Sequence, residues 1–62
     1  MKFKDFLEMF DDWNRTVVVN DDNLERIVSD KGYIVWESHQ ELYERKVIAF
    51  GFYDNELCIR IK

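Results

Sequence analysis

The chain has 62 residues and a formal net charge of −4, with a single cysteine and a single histidine. We expect one small domain over residues 1–62, which buries only about 60% of its unfolded surface. An intrachain disulfide needs two cysteines, and a structural zinc site commonly needs four cysteine or histidine ligands, so this composition excludes both.

Aromatic residues supply the apolar mass instead: five Phe, two Trp and three Tyr. Each aromatic side chain can bury roughly 150–250 Å², which is more than one layer of helix on a sheet can cover. We therefore expect some aromatics to be exposed in the monomer and covered by a partner. The lone cysteine and the lack of a signal peptide favour a cytoplasmic protein. No apolar run approaches the ~20 residues that a membrane span needs.

Acidic residues are concentrated in the first half of the chain. Residues 1–30 hold four basic residues against eight acidic ones, whereas residues 31–62 are balanced. A nucleic-acid-binding protein is expected to show a basic stripe, and none is visible, so we expect no nucleic-acid partner. The acidic half is either a solvated surface or a mimic of nucleic acid that offers carboxylates in place of phosphates.

Apolar residues at the start of the chain recur at spacings of three and four: Phe3, Phe6, Leu7, Phe10 and Trp13. This pattern predicts an amphipathic helix with one apolar stripe. A capping box of Asp5 and Glu8 would instead begin the helix one turn later. Lysines lie near its amino end and aspartates near its carboxyl end, which opposes the helix dipole. The helix should therefore depend on packing against a sheet.

The β-branched residues 16–20 predict a strand, which a polar turn at residues 20–23 ends. Residues 24–30 are ambiguous, because Leu24, Ile27 and Val28 fit a helical face, whereas a strand returning along 16–20 would point Ile27 inward. We favour the strand, since two β-runs on either side of a short turn form the simpler pairing.

The middle of the chain begins a new segment at Gly32. Residues 33–36 are expected to be extended or turn-like. Ser38 and Glu41 have the spacing of a capping box, which predicts a short helix over residues 39–45.

Residues 47–62 predict a β-hairpin folded about Asp54-Asn55 as a type I′ turn. The cross-strand pairs are then Phe52–Leu57, Phe50–Ile59 and Ile48–Ile61. This register puts the large apolar side chains on one face beneath the first helix, and a slip of one residue would scatter them. The last strand, residues 57–61, is expected to form a bare sheet edge.

These elements predict a single α+β domain. An N-terminal amphipathic helix packs on an antiparallel sheet of three to four strands, with a short helix in the middle and a C-terminal β-hairpin. The second face of the hairpin is flat and carries small residues. It can accept a partner's side chains or the chain's own segment 33–36.

No residue constellation in the chain predicts catalysis or metal binding. His39 is the only base that titrates near neutral pH, and no nucleophile is placed beside it by a recognisable turn. Residues 20–23 lack the spacing and the glycine of a calcium loop. We interpret Cys58 as a small filler on the second face of the hairpin. We therefore expect no enzyme activity, no metal and no cofactor.

The remaining interpretation is a non-enzymatic protein that binds another protein. Trp and Tyr dominate the hot spots of such interfaces, and clustered acids would add an electrostatic footprint. The predicted partner-binding residues are Trp13, Trp36, Tyr43, Tyr53, Asp11, Asp12, Asp21 and Asp22. We also expect a homo-oligomer, with a dimer favoured, because strand 57–61 can pair edge to edge or the second face can stack.

Three parts of the chain share a pattern with known small proteins: Phe3 to Phe10, Val17-Val18-Val19-Asn20-Asp21, and residues 47–61 read as V-I-x-F-x-x-x-D-x-x-L-x-I-x-I. In this order they resemble accessory proteins of phages and mobile elements of Gram-positive bacteria. Some such proteins inhibit host defence, including anti-CRISPR proteins. The resemblance implies an accessory protein or inhibitor that occludes a surface, with a host protein as a candidate partner. The alternatives are a structural or assembly subunit and a weak nucleic-acid-binding module.

Overall fold

A computed structural model describes all residues from Met1 to Lys62. Its elements are α1 (Phe3–Met9), β1 (Thr16–Asn20), β2 (Arg26–Lys31), α2 (Gly32–Ser38), a 3₁₀ turn (Gln40–Leu42), β3 (Val47–Tyr53) and β4 (Glu56–Ile61). The four strands form one sheet in the order β2-β1-β4-β3. The α+β class is confirmed, and so is the strand favoured within residues 24–30.

The sheet is mixed, because the two central strands β1 and β4 run parallel. The prediction of an antiparallel sheet is therefore wrong, although each of the two hairpins is antiparallel within itself. The prediction that residues 57–61 form a bare edge is also wrong. Leu57, Ile59 and Ile61 are all buried, and a strand this apolar is most stable with a neighbour on each side.

The hairpin of β3 and β4 turns where the sequence predicts. Asp54 and Asn55 have φ angles of 53° and 65°, the left-handed values that a type I′ turn requires. The predicted pairs Phe52–Leu57 and Phe50–Ile59 are confirmed.

The third predicted pair of this hairpin is wrong. A bulge leaves Ile48 without a partner on β4 and places Val47 opposite Ile61. An extra residue of this kind bends the strand and increases its local twist. The irregularity is confined to the start of β3.

The first helix is shorter than its apolar pattern predicts, since α1 ends at Met9 and Phe10 is already extended, with φ −94° and ψ 110°. A longer helix would place Asp11 and Asp12 in its last turn, at the negative end of the dipole. No basic residue lies in the last turn of α1 to compensate. Trp13 therefore lies outside the helix.

The middle of the chain differs from both predictions made for it. Residues 33–36 belong to α2, and the predicted helix over 39–45 is reduced to the 3₁₀ turn, with no side-chain capping bond. The helical conformation lets Val35 enter the core, where it is fully buried. At the start of α2, Gly32 approaches the backbone of Trp13 so closely that an added Cβ would lie 3.3 Å from the Trp13 carbonyl oxygen.

The helices cover one face of the sheet and enclose one hydrophobic cluster there. Its buried members are Phe3, Phe6, Leu7, Val17, Val19, Val35, Leu42, Leu57, Ile59 and Ile61. Because Val35 is among them, segment 33–36 lies on the core side, and the alternative that it covers the second face is wrong. The second face of the sheet has no helix against it.

Candidate protein-binding surface

The large apolar side chains of β3 share the core-facing side of the sheet but remain largely in solvent. Phe50 is 62% exposed and Phe52 is 54% exposed, whereas Ile59, directly opposite Phe50 on β4, is 1% exposed. The difference follows from strand order, because β4 is central and β3 lies at the edge. The expectation that these side chains are tucked beneath the first helix is therefore correct for Ile59 and wrong for the two phenylalanines.

Each of the two exposed phenylalanine rings of β3 contacts one aromatic ring, from α1 or from the residue that follows it. The centroids of Phe6 and Phe50 are 4.8 Å apart with the planes tilted by 56°, and those of Phe10 and Phe52 are 5.8 Å apart. Aromatic pairs at such distances contribute about 0.5–1.5 kcal/mol beyond burial. The rings are therefore oriented before any partner arrives.

Two methionines extend this apolar region: Met1 lies just before α1 and Met9 is its last residue. Met1 is 57% and Met9 65% exposed, and together with Ile48 and Phe50 they line an open apolar hollow of about 520 Å³. We call the set Met1, Met9, Ile48, Phe50 and Phe52 the β3 surface. At ~180 Å² for each side chain, its exposed apolar area is about 500 Å², towards the upper end of what a monomer shows.

The two edges of the sheet differ in their protection against pairing. β2 carries the exposed charges Arg26, Asp30 and Lys31, whereas residues 47–53 of β3 contain neither a charge nor a proline. Charged side chains and prolines are the usual means of keeping an edge strand from joining another chain. The start of this edge is covered by the chain itself, because the Val47 N–H donates to the Met1 carbonyl oxygen at 2.8 Å and Lys2 pairs with Lys46, and a bulge follows at Ile48.

Arg15 contacts the end of the β3 surface that lies next to the β3–β4 turn. Its guanidinium carbon lies 5.5 Å from the centroid of the Phe52 ring. Its Nη1 donates a hydrogen bond to the Asn55 carbonyl oxygen at 2.9 Å, and its Nε donates to Asp12 Oδ2 at 3.0 Å. Asp12, predicted as part of an electrostatic footprint, is thus engaged within the chain.

The predicted contacts Trp13, Trp36 and Tyr43 are brought together, but as a half-buried stack. The centroids of Trp13 and Trp36 are 5.6 Å apart with the planes at 73°, and those of Trp36 and Tyr43 are 4.8 Å apart. The Tyr43 hydroxyl donates to the Trp36 carbonyl oxygen. Burial raises the pKa of the Tyr43 phenol, with a smaller contribution from Glu8. The stack belongs to the part of the helix layer in which α2 packs against β1 and β2.

Of the other predicted acidic residues, Asp21 has a structural role, whereas Asp11 and Asp22 are exposed. Asp21 Oδ1 accepts hydrogen bonds from the backbone N–H groups of Asn23 and Glu25, both at 2.9 Å. Asp21 therefore organises the turn between β1 and β2. Asp11 and Asp22 are exposed.

The second face of the sheet is open and carries Tyr53. The ring of Tyr53 lies over Gly51, since a Cβ at Gly51 would be 3.0 Å from Tyr53 Cε2. Beside it is a hollow of about 190 Å³ whose lining includes Leu24, Cys58 and Arg60. Mixed polar and apolar side chains are typical of the solvated face of a sheet. Tyr53 is the one predicted aromatic contact on this face.

The chemically distinctive residues are not arranged as a reactive site. His39 Nδ1 lies 3.0 Å from Glu41 Oε2, and the pKa of Glu41 is lowered, first by a backbone hydrogen bond and then by His39. Burial raises the pKa of the Cys58 thiol, and Glu56 adds to this effect. The thiol is therefore held in its less reactive protonated form. No group of three or more His, Cys, Asp or Glu side chains is placed to hold a metal ion.

Sequence reasoning missed Phe50, Phe52 and Ile48 as surface residues, because it assigned the whole apolar face of the hairpin to the core. The available signal was the length of β3: seven residues without a charge.

Comparison of the chain with protein-family models, with curated proteins and with solved structures gave no match. Neither helix has the length and hydropathy to cross a membrane.

Proposed function

We propose that the protein is a non-enzymatic, cytoplasmic binding protein that covers a protein partner through the β3 surface. The supporting observation is the exposure of five large apolar side chains along one edge of the sheet. The largest exposed apolar patch of a monomer, at about 300–600 Å², is often functional. The aromatic rings among them are already oriented by Phe6 and Phe10, which lowers the entropy cost of binding.

The biological role that we propose is that of a phage accessory protein or host-defence inhibitor, with a host protein as its partner. This role is supported by the resemblance of the opening helix, of residues 17–21 and of residues 47–61 to small accessory proteins of phages and mobile elements of Gram-positive bacteria. Inhibition by surface occlusion needs contact area and no chemistry, and the β3 surface offers such area. Among the predicted contacts, Tyr53, Asp11 and Asp22 are exposed and remain proposed contacts.

Affinity capture with matched variants tests this proposal. The double variant Phe50→Ser/Phe52→Ser removes the aromatic part of the β3 surface. Leu24→Asn is the control, because it removes an exposed apolar side chain (65% exposed) from the β1–β2 turn. We expect the double variant to lose its captured protein and the control to retain it, with circular dichroism showing that both fold. Equal capture by all three proteins contradicts the proposal.

The second candidate function is a structural or assembly subunit, and the uncharged edge of β3 favours it. A subunit of this kind would form a stable oligomer when purified and would capture no other protein. Sedimentation of the purified chain, combined with the capture experiment, separates the two functions.

A further inference from the structure

We infer that the second face of the sheet binds a single-stranded nucleic acid, whose phosphates contact a row of basic side chains and one of whose bases stacks on Tyr53. We call the set Lys2, Lys46, Lys62 and Arg60 the basic row. It lies on the opposite face of the sheet from the β3 surface, so this inference goes beyond the proposed function.

Backbone pairing places the three lysines of the basic row side by side. Lys2 pairs with Lys46 in an antiparallel bridge, and the Lys62 N–H donates to the Lys46 carbonyl oxygen at 2.8 Å. Directly opposite residues of antiparallel strands share a face, with Cα atoms about 4.5–5.5 Å apart. Their neighbours Phe3 and Ile61 are fully buried on the helix side. Because side chains alternate along a strand, the three lysines point to the second face.

Arg60 extends the basic row along β4. It lies two residues before Lys62 on the same face and directly opposite Ala49 of β3. Its Nε is buried without a hydrogen-bond partner, and its guanidinium forms no salt bridge. A buried donor without a partner is costly, and an arginine fork matches the geometry of a phosphate. Arg60 is therefore free to bind an anion.

The basic row carries an excess of positive charge. Only Lys2 has an ion-pair partner, Glu44 Oε1 at 2.7 Å, whereas Lys46 and Lys62 have none. Like charges directly opposite each other destabilise a sheet. A bound polyanion would remove this repulsion.

The acidic residues of the chain lie on the other face or border the basic row. Those between residues 5 and 12 belong to α1 or to the segment that follows it, on the helix side of the sheet. Screening over about 8 Å at physiological salt weakens their repulsion of a ligand on the second face. Asp22 and Glu25 in the β1–β2 turn border the row beyond Arg60 and limit it to four side chains.

The expectation of no nucleic-acid partner depended on the absence of a basic stripe in the sequence. The four members of the basic row come from residue 2, residue 46 and residues 60–62. Only the pairing of these segments brings their charges together.

A site for one base adjoins the basic row. The Tyr53 ring lies over Gly51 and is 66% exposed, so one face of the ring is open. Tyr53, Arg60 and Asn20 line the hollow of about 190 Å³, which has room for one base. Stacking on an aromatic ring tolerates any base, because every base has a π-face. The Asn20 amide offers both a donor and an acceptor to the edge of the base.

Other polyanions fit this face less well. A membrane surface needs apolar anchors beside the basic side chains, but the exposed Met1 and Ile48 line the hollow on the helix side, away from the lysines. An acidic peptide binds in a groove or along a sheet edge. The edge nearest to the basic row is covered by residues 1–3 of the chain itself.

Fluorescence anisotropy tests the inference, with labelled oligothymidylate and oligouridylate of about twelve nucleotides as probes. We expect a micromolar dissociation constant at about 20 mM NaCl that weakens as salt is added. With about four phosphates contacted, the logarithm of the association constant should fall against the logarithm of the salt concentration with a slope of about −3, since each phosphate contributes about −0.7. Binding of either probe supports the inference, and the tighter one identifies DNA or RNA.

Three variants locate the binding site. Glu44→Gln removes the carboxylate paired with Lys2, so binding should become about three-fold tighter, a gain that misfolding does not produce. Lys46→Gln should weaken binding about five-fold at low salt and bring the slope about 0.7 closer to zero. Lys31→Gln is the control: it makes the same charge change on β2 at the other end of the sheet, about 20 Å along the strands. It should alter the constant by less than about two-fold.

Two further measurements separate binding from folding. Tyr53→Ala should weaken binding at least about five-fold, and Tyr53→Phe should restore it, because a phenyl ring still stacks on a base. The melting temperature of Lys46→Gln at low salt should equal or exceed that of the wild type, because the variant removes repulsion between like charges.

Three results overturn the inference. The first is the absence of binding at low salt, and the second is equal weakening by Lys46→Gln and Lys31→Gln. The third is tighter binding of phosphatidylserine vesicles or of polyglutamate than of either oligonucleotide at equal concentration of charge. That result would assign the second face to a membrane or to an acidic protein.

Discussion

Replacing Phe3 and Phe50 separately by alanine distinguishes the core from the β3 surface. Phe3 has no exposed area, and truncation of a fully buried phenylalanine costs about 3–5 kcal/mol. Phe50 is 62% exposed, so it has about two-fifths of the 1.5–3 kcal/mol that full burial contributes. With its ring contact to Phe6, the expected loss is about 1–3 kcal/mol.

These losses have different consequences for a chain of this size, whose free energy of unfolding is expected to be about 3–9 kcal/mol. Phe3→Ala should therefore be less stable than Phe50→Ala by about 2 kcal/mol. Urea unfolding followed by the fluorescence of Trp13 and Trp36 measures both, because these two rings stack in the folded state. Low protein concentration excludes any contribution of self-association to the comparison.

One result would refute the reasoning about exposure. If monomeric Phe50→Ala loses as much free energy of unfolding as Phe3→Ala, then Phe50 belongs to the core and no β3 surface exists. An equal denaturant slope for the wild type and Phe50→Ala is the control, because it shows that both proteins expose similar area on unfolding.

Three further predictions concern the turns and the buried titratable groups. Leu24 has a φ of 64°, a left-handed backbone conformation. Asn tolerates this conformation better than other side chains do, so Leu24→Asn should be more stable than Leu24→Ala by about 1 kcal/mol. Equal melting temperatures of the two variants would contradict this. Asn55→Gly should raise the free energy of unfolding by about 0.5 kcal/mol and Asn55→Ala should lower it, because residue 55 is the second left-handed residue of a type I′ turn, where glycine is preferred. A thermal melt showing the reverse order would exclude this turn. The pKa values of Cys58 and Tyr43 are raised in the folded chain. The stability that these two groups contribute is therefore complete below the pKa values of the unfolded chain. It is lost as the pH rises above those values, from about pH 8.5 upward. Tyr43→Phe should reduce this alkaline loss in urea unfolding, and an unchanged slope would show that Tyr43 is not its source.

The hairpin of β3 and β4 could be predicted because its apolar residues alternate and its turn residues accept positive φ. In contrast, the partner of β1 could not be read from the run Val17-Val18-Val19, since consecutive buried valines do not show which strand lies beside them. The short apolar run at residues 33–36 fits a helix and a strand equally well, and its packing into the core decides for the helix.

The β3 surface depends on two properties that no local pattern contains. Alternation shows that Phe50 and Ile59 share a face, but their exposure depends on which of the two strands lies at the edge. It also depends on where the first helix ends, and α1 ends at Met9. The packing of the predicted contacts Trp13, Trp36 and Tyr43 against one another could not be read from the sequence either, because it depends on residues 32–38 forming α2.

The central position of β4 has a consequence for how the chain reaches its native state. Val17 and Leu57, neighbours on the two middle strands, are separated by roughly forty residues, so their pairing must close a long loop before it yields any stabilisation. A lone two-stranded ribbon is at best marginally stable in water, which leaves neither half of the sheet able to persist by itself. Folding should therefore be a single cooperative event that requires residues 56–61 to be present.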